Sequence, residues 1–349
     1  MKKIYLIIAI VILLALCIGL CLLKNKRATT YSDAKSDVIL SLEDKITDDT
    51  IWCGTFNLIW NDLKNELAKQ DIVFTPQIQD VINLNKGTFS TKDLDDSSYY
   101  KTYGHPTLEL KKEIEKNIKE KFNENSDILD DFDWNGNPDD YILYTMLKKV
   151  FTFPTPFDKL NNSYFKDVKD VKYFGIDSES DSKLRKQVTV LYYSDDGYAV
   201  KLNTNENDEV ILVKGDNGDN FLDVYKNTMN KAGKYTNKTF TDLDTLMVPN
   251  ININVKKSFD QLTYKDFYFA NGDEYHISKA VQTIKFELDN KGGKIKSEAG
   301  MQVAKNSVAI DEIEERHFDF NDTFIIFLKE KNKDLPYFAA KISDIKKFQ

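Results

Sequence analysis

The side chains best suited to covalent chemistry are few in this chain, and none is spaced for it. Cys53 is the single thiol beyond the hydrophobic N-terminus, and as a nucleophile it would need a general base beside it. His105, His276 and His317 are the only imidazoles, and no motif surrounds any of them. A lone thiol next to Trp52 reads instead as a small buried hydrophobe. Asp131, Asp133, Asn135 and Gly136 follow the first half of a calcium loop, with oxygens at alternate positions and glycine sixth. Position twelve is Ile142, where calcium needs a bidentate glutamate, so the segment reads as a turn and no metal or other cofactor is expected. The chain has no glycine-rich phosphate loop, no His-Glu-x-x-His and no nucleophile elbow. Carboxylates are abundant but unpatterned, as on a solvated surface, so no catalytic residue is assigned and the protein is expected not to be an enzyme.

The spacing that does stand out lies between Val281 and Leu328. Val281–Leu288 alternates apolar and polar residues at period two, as a half-buried strand does. Asp289-Asn290-Lys291-Gly292-Gly293 supplies turn chemistry. Phe318–Leu328 ends in a run apolar enough to be buried on both faces. The connection between these strands is far longer than the usual handful of residues, and such connections are functional or disordered. Its first part keeps the alternation: Gly293, Ile295, Ser297, Ala299, Met301 and Val303 fall on one face of an extended chain, with Lys294, Lys296, Glu298, Gly300 and Gln302 on the other. A resident strand and a loop able to become one both fit this pattern. Lys305–His317 is too densely charged for a core and is expected to be exposed and outside the central sheet.

Four pieces taken in order resemble the serpins. Ile277–Gly293 is similar to that family's strand and proximal hinge, which closes on a polar pair, a glycine and a small residue. Phe320–Leu328 followed by Leu335–Ile342 is similar to its C-terminal strand pair. Phe151-Thr152-Phe153-Pro154-Thr155-Pro156-Phe157-Asp158-Lys159-Leu160 resembles the segment in which a strand leads to a proline, phenylalanine, aspartate turn. Val248–Val255 resembles a later strand preceded by a proline. The resemblance covers roughly residues 150–342, and order and spacing carry it rather than any single motif.

It implies an α+β fold with a helical N-terminal part, a large mixed central sheet and a second sheet. It also implies a hinge at Glu287, Gly292, Gly293, Ile295, Ser297 and Ala299, with Lys305, Asn306, Ser307 and Arg316 as reactive-loop candidates. Serpin inhibition works as a spring, a cut loop inserting into the central sheet, so the implied partner is a serine or cysteine protease. The chain departs from the family where inhibitory members carry a run of small residues: it has Ile295, Lys296, Ser297 and Glu298 instead. Ile295 on the inward face would slow insertion, while Lys296 and Glu298 would point to solvent. Beyond a first helix matched by Trp52–Leu67, the family's helical N-terminal third is hard to trace.

At the N-terminus, Ile4–Leu23 is a run of twenty uncharged residues between Lys2-Lys3 and Lys24-Asn25-Lys26-Arg27. At about 1.5 Å per residue it crosses a hydrocarbon core of about 30 Å. An uncleaved signal anchor is expected at residues 1–27, with a lipid anchor at Cys17 or Cys21 as the alternative. A polar stalk follows at 28–50 and a serpin-like domain at 51–349, placed outside the membrane. The whole chain carries a formal charge of −8. Since the anchor holds five basic residues and no acidic ones, the remainder stands near −13. Such a surface repels phosphate backbones, and with only three arginines nucleic acid is excluded as a partner. One cysteine in the folded body leaves no internal disulfide, which in an extracytoplasmic protein suits a bacterium with a single membrane.

Helical spacing appears over Phe56–Leu67 and Leu108–Phe122, the second started by Pro106-Thr107. Strand patterns dominate from Val188 onward: Val188–Tyr193, Tyr198–Leu202, Glu209–Val213 and Ile251–Val255, with a hairpin turn at Asp195-Asp196-Gly197. Tyr141–Val150 is a short apolar element. Three functions are compatible with these features. One is a surface-anchored protease inhibitor or bait acting through the loop after Gly293. Another is a serpin-fold binding or structural protein without trapping. The third is an unrecognised extracytoplasmic enzyme.

Overall fold

Runs that alternate, or are apolar throughout, become strands and gather into two large sheets. The computed structural model describes residues 36–216, 218–295, 297–298 and 315–349. The first sheet has seven strands in the order β1 (Asp37–Val38), β2 (Thr50–Cys53), β22 (Phe338–Ile342), β21 (Phe324–Glu330), β12 (Asp208–Lys214), β11 (Gly197–Asn203) and β10 (Val188–Ser194). β21 is buried along its whole length, as its apolar run requires. β10, β11 and β12 form an antiparallel meander, and Ser194 pairs with Gly197 across the expected hairpin turn.

The second sheet runs β14 (Ile251–Ser258), β17 (Val281–Asp289), β18 (Gly292–Ile295), β5 (Lys149–Thr152) and β19 (Ser297–Glu298). A smaller sheet joins β20 (His317–Asp319), β13 (Thr245–Pro249), β9 (Tyr173–Ile176) and β6 (Asp158–Lys159). Three two-stranded pairs complete the strands: β3 (Tyr99–Gly104) with β4 (Ile142–Leu147), β7 (Ser163–Phe165) with β8 (Val168–Val171), and β15 (Asp266–Tyr268) with β16 (Glu274–His276).

The N-terminal part is the more helical. α1 (Thr55–Asp62) widens into a π-turn over Leu63–Ala68 and stops at Lys69, whose φ of 56° is left-handed. α2 is Gln79–Asn85 and α3 is Leu108–Phe122. The Thr107 hydroxyl accepts from the Leu110 amide at 3.1 Å, the N-cap expected there. α3 sets Ile114, Ile118 and Phe122 against Tyr144, in a small core of its own. Later come α4 (Ser182–Arg185) and α5 (Phe221–Lys234), the latter capped by Asn220. The fold is α+β with a large central sheet and a second sheet, as expected.

The stalk ends earlier than the sequence implies. Val38, Leu40 and Leu42 are buried, β1 pairs in parallel with β2, and the Trp52 indole donates to Leu40 O at 3.3 Å. The run Val38-Ile39-Leu40-Ser41-Leu42 is too short to show a period, and long-range pairing decides its fate. The folded body therefore includes residues from 36 rather than from 51. Ile4–Leu23 lies outside the described residues. Among the described residues no helix is long and apolar enough to cross a membrane.

Candidate strand-insertion site

β17 is the axis of the site. On one edge it pairs antiparallel with β14 along its length, from Ile251–Leu288 to Ser258–Val281. On the other edge only Phe286–Asp289 is paired, by β18. β18 in turn pairs antiparallel with β5, Gly292 opposite Thr152 and Ile295 opposite Lys149. Four residues of the connection thus stand as a strand in the centre of the sheet, with β17 and β5 parallel to each other on either side. The turn falls one step earlier than its glycines suggest: Asn290 and Lys291 make it, and the Asp289 carboxylate accepts from the Lys291 amide at 2.8 Å.

The two glycines are needed for a close passage. At Gly292 (φ +151°) a Cβ would lie 2.1 Å from Phe151 O, and at Gly293 it would lie 2.2 Å from the Phe151 ring. Ile295, expected to resist insertion, is already accommodated inward at 4% exposure. Glu287 and Lys294 are outward neighbours.

Beyond Ile295 the sheet is open. A cavity of about 950 Å³ runs between β4 (Ile142–Leu147) and the unpaired half of β17 (Val281–Lys285), with Ile295 at one end. Its floor includes Cys53 at the end of β2 and Thr55, Phe56, Ile59 and Trp60 from α1. The Gln282 amide fixes β17 over that floor, donating to Thr55 Oγ1 at 2.6 Å and to Cys53 O at 3.0 Å. Segment 126–133 lies along the same cavity and is tied across to β17 by Lys285–Asp127 at 2.8 Å and to β14 by Lys256–Asp131 at 2.6 Å. Asp131 thus serves as an ion-pair partner. By Ser297 the chain is no longer in line with this slot, for β19 pairs in parallel with β5 at Lys149 and Val150, on the edge away from β18.

Of the remaining candidates, Ala299, Lys305, Asn306 and Ser307 lie outside the described residues. Arg316 overturns its assignment to an exposed loop: it is 0% exposed. Its Nε and Nη2 donate to the two Asp244 oxygens at 2.9 and 2.7 Å, Nη1 donates to Tyr235 and to Asn237 O, and Nη2 also donates to Thr239 O. A guanidinium can be buried when every donor has a partner, and here it fixes the chain at the start of β20. Glu315 and His317 on either side are exposed, as expected.

Cys53 is buried as expected, and burial pushes its thiol up, which suppresses the reactive thiolate. His105, His317 and His276 are engaged elsewhere, with Asp140 O, Thr245 and the Tyr264 ring respectively.

Sequence reasoning missed a buried polar cluster behind β5. The Lys149 ammonium lies 2.6 Å from Asp208 Oδ1 on β12 and 2.8 Å from Glu330 Oε1 on β21. The signal available was the pair Lys148-Lys149 inside an otherwise apolar run, since a charge there must face either solvent or a buried partner.

No family model matches this chain, and no curated protein does. Solved structures similar to it include a thyroxine-binding globulin, an insect serpin and a kallistatin. A thyroxine-binding globulin in complex with thyroxine is 14% identical, covering 67% of this chain and 64% of that one with a TM-score of 0.41. Serpin48, a highly specific serpin of the insect Tenebrio molitor, is 13% identical over 72% of this chain and 78% of its own, with a TM-score of 0.40. Human glycosylated kallistatin is 15% identical over 78% and 71%, with a TM-score of 0.39. This chain therefore spans a little under two thirds of the length of the thyroxine-binding globulin structure. The described strands stand in the order the resemblance implies: β17 ends in the glycine hinge, β18 returns beside it in the five-stranded sheet, and the C-terminal pair β21 and β22 lies in the seven-stranded sheet.

Proposed function

We propose that this protein is a bait for a serine or cysteine protease and answers cleavage by strand insertion. The observation that carries the reading is β18: it already stands antiparallel between β17 and β5, in line with the cavity lined by β4 and the unpaired half of β17. Phe286 opposite Ile295 fixes that register. Extending β18 in the same register sets Ser297 between Ile284 and Leu147, and Ala299 between Gln282 and Thr145. Both are small residues on the inward face, where a narrow slot accepts them. Each residue added to β18 gains backbone pairing on two sides and covers apolar floor, Ser297 and Glu298 exchanging their one-sided pairing in β19 for it.

The test is limited proteolysis followed by a thermal melt. A cut within residues 299–314 should raise the melting temperature sharply, because the freed segment completes the sheet. An unchanged melt would sink the insertion reading.

A second reading, a serpin-fold binding or structural protein, is favoured by one feature. The proximal hinge is held in the sheet at Gly292–Ile295 before any cut, so less chain remains to be driven in. The two separate in an SDS gel. A trap leaves a covalent complex with the protease, whereas the second reading leaves only cut chain.

A further inference from the structure

Lys149 is the register partner of Ile295, so the cluster behind it sits under the wall of the slot. Lys149, Asp208 and Glu330 are 5%, 2% and 0% exposed. Tyr337 donates its hydroxyl to Asp208 Oδ1 at 3.0 Å, the oxygen that Lys149 also reaches. Glu330 is better served: Ser98 Oγ donates to Oε1 at 2.6 Å and the Asp95 amide donates to Oε2 at 2.9 Å. The Lys149 ammonium also rests 5.1 Å from the Tyr337 ring centroid.

The charges do not balance when all three groups are ionised. One ammonium faces two carboxylates, and a buried net charge is costly unless a proton neutralises it. The neighbours do not correct this. Glu206 near Asp208 and Asp95 near Glu330 add negative potential. Lys333 is paired with Asp95 at 3.4 Å, Lys329 is committed to main-chain carbonyls and Glu209, and Lys148 is paired with Glu124. Cys53, which also neighbours Tyr337, is kept a neutral thiol by its burial. Burial pushes both carboxyls above the usual carboxylate range, with Lys149 opposing it. Asp208 has two donors on one oxygen and Glu330 has three over two, with the Asp95 carboxyl against it, so one proton held between the two carboxyls neutralises the cluster.

We propose that the Asp208 and Glu330 carboxyls share one proton in the folded protein, which makes their cluster with Lys149 a neutral clamp holding β5 against the seven-stranded sheet. Losing it as pH rises leaves a buried negative charge, which loosens β5 and the β18 strand paired with it. The direction follows from linkage: the clamped state binds the proton more tightly than a loosened, hydrated one, so acid favours clamping and base favours release. The cluster is thus a pH-sensitive element in the wall of the slot. It rests on the bait reading only for what the slot is for.

The experiment uses the intact, uncut chain and no protease, so its failure is separate from failure of that reading. Amide exchange, corrected for its intrinsic pH dependence, is followed at pH 5.5 and 8. Protection of β5 and β18 should fall by roughly tenfold or more relative to the β10–β11 hairpin, one pKa unit of linkage being tenfold. Asp208→Asn keeps an acceptor for Lys149 and Tyr337 but cannot ionise. It should remove the pH dependence, melt as the wild type does at pH 5.5, and melt several degrees higher than the wild type at pH 8. Wild-type protection that is equal at both pH values would overturn the proposal. So would an Asp208→Asn protein that melts lower than the wild type at pH 8, because both carboxyls would then be ionised salt-bridge partners of Lys149. Exchange in the wild type decides the question even if the variant does not fold.

Discussion

Gly293 is where the insertion geometry is most exposed to test. A methyl group there would sit 2.2, 2.7 and 2.9 Å from three carbons of the Phe151 ring, whereas carbon atoms pack at about 3.5–4.0 Å. The ring must therefore retreat by more than about 1 Å, within a core where it is 1% exposed and packs edge-on to Phe153. Overpacking of this kind costs about 1–3 kcal/mol. For a domain of this size, about 2 kcal/mol lowers the melting temperature by roughly 4–8 °C. Gly293→Ala should show that loss in urea unfolding followed by tryptophan fluorescence. It should also open β18 to trypsin at Lys294. The clash names its own remedy: Phe151→Leu removes the ring, so Gly293→Ala with Phe151→Leu should lose less than the sum of the two single changes, by about 1–2 kcal/mol. Strict additivity, within about 0.5 kcal/mol, would refute the claim that β18 occupies the sheet beside Phe151. So would a Gly293→Ala protein as stable as the wild type.

Two further predictions concern groups outside the slot. Asp44 is buried and pushed up to about 6 by that burial, against the bonds it accepts from Asn83, Ser41 and Leu40. A carboxyl raised in the folded state favours folding when protonated, so its contribution should fall from pH 3 to 7. With the value at about 6 against 3.8, the fall is about 3 kcal/mol. It is read as the change with pH of the stability difference between wild type and Asp44→Asn, and a difference independent of pH would rule it out. Asp244→Ala strands the buried Arg316 guanidinium and should cost about 3–5 kcal/mol in urea unfolding; a loss under about 1 kcal/mol would mean that the pair is effectively solvated.

Legibility of the chain followed the range of the interactions involved. β10, β11, β12, β14 and β17 alternate or run apolar over five or more residues, so their own side chains declare them. α3 carries both its start signal and its apolar stripe within fifteen residues. Gly292 and Gly293 were conspicuous, but their reason was not, because Phe151 lies more than 140 positions earlier. Arg316 looked like part of an exposed charged stretch, since the groups that satisfy it, from Tyr235 to Asp244, are remote in sequence and unremarkable there. The Lys149 cluster was hidden for the same reason. Its members come from three separated strands, and a charged residue taken alone reads as surface.

The two ends of the connection are anchored by different physics, and that difference decides which end can move. At the proximal end, β18 is held by four backbone pairs to each neighbour and one buried isoleucine, contacts that continue without interruption if the strand grows along β17. At the distal end, Arg316 is held by a buried ion pair whose loss would strand a charge. Pulling the distal end free meets one large barrier, whereas lengthening β18 gives up only the two-residue pairing of β19 with β5 and then repeats the steps taken between Gly292 and Ile295. A cut anywhere between the anchors would therefore leave the distal piece attached beside β13 and release the proximal piece toward the slot. The response to cleavage is thus expected to be one-sided, with β17 and β4 closing on the extended strand while β20 keeps its pairing with β13.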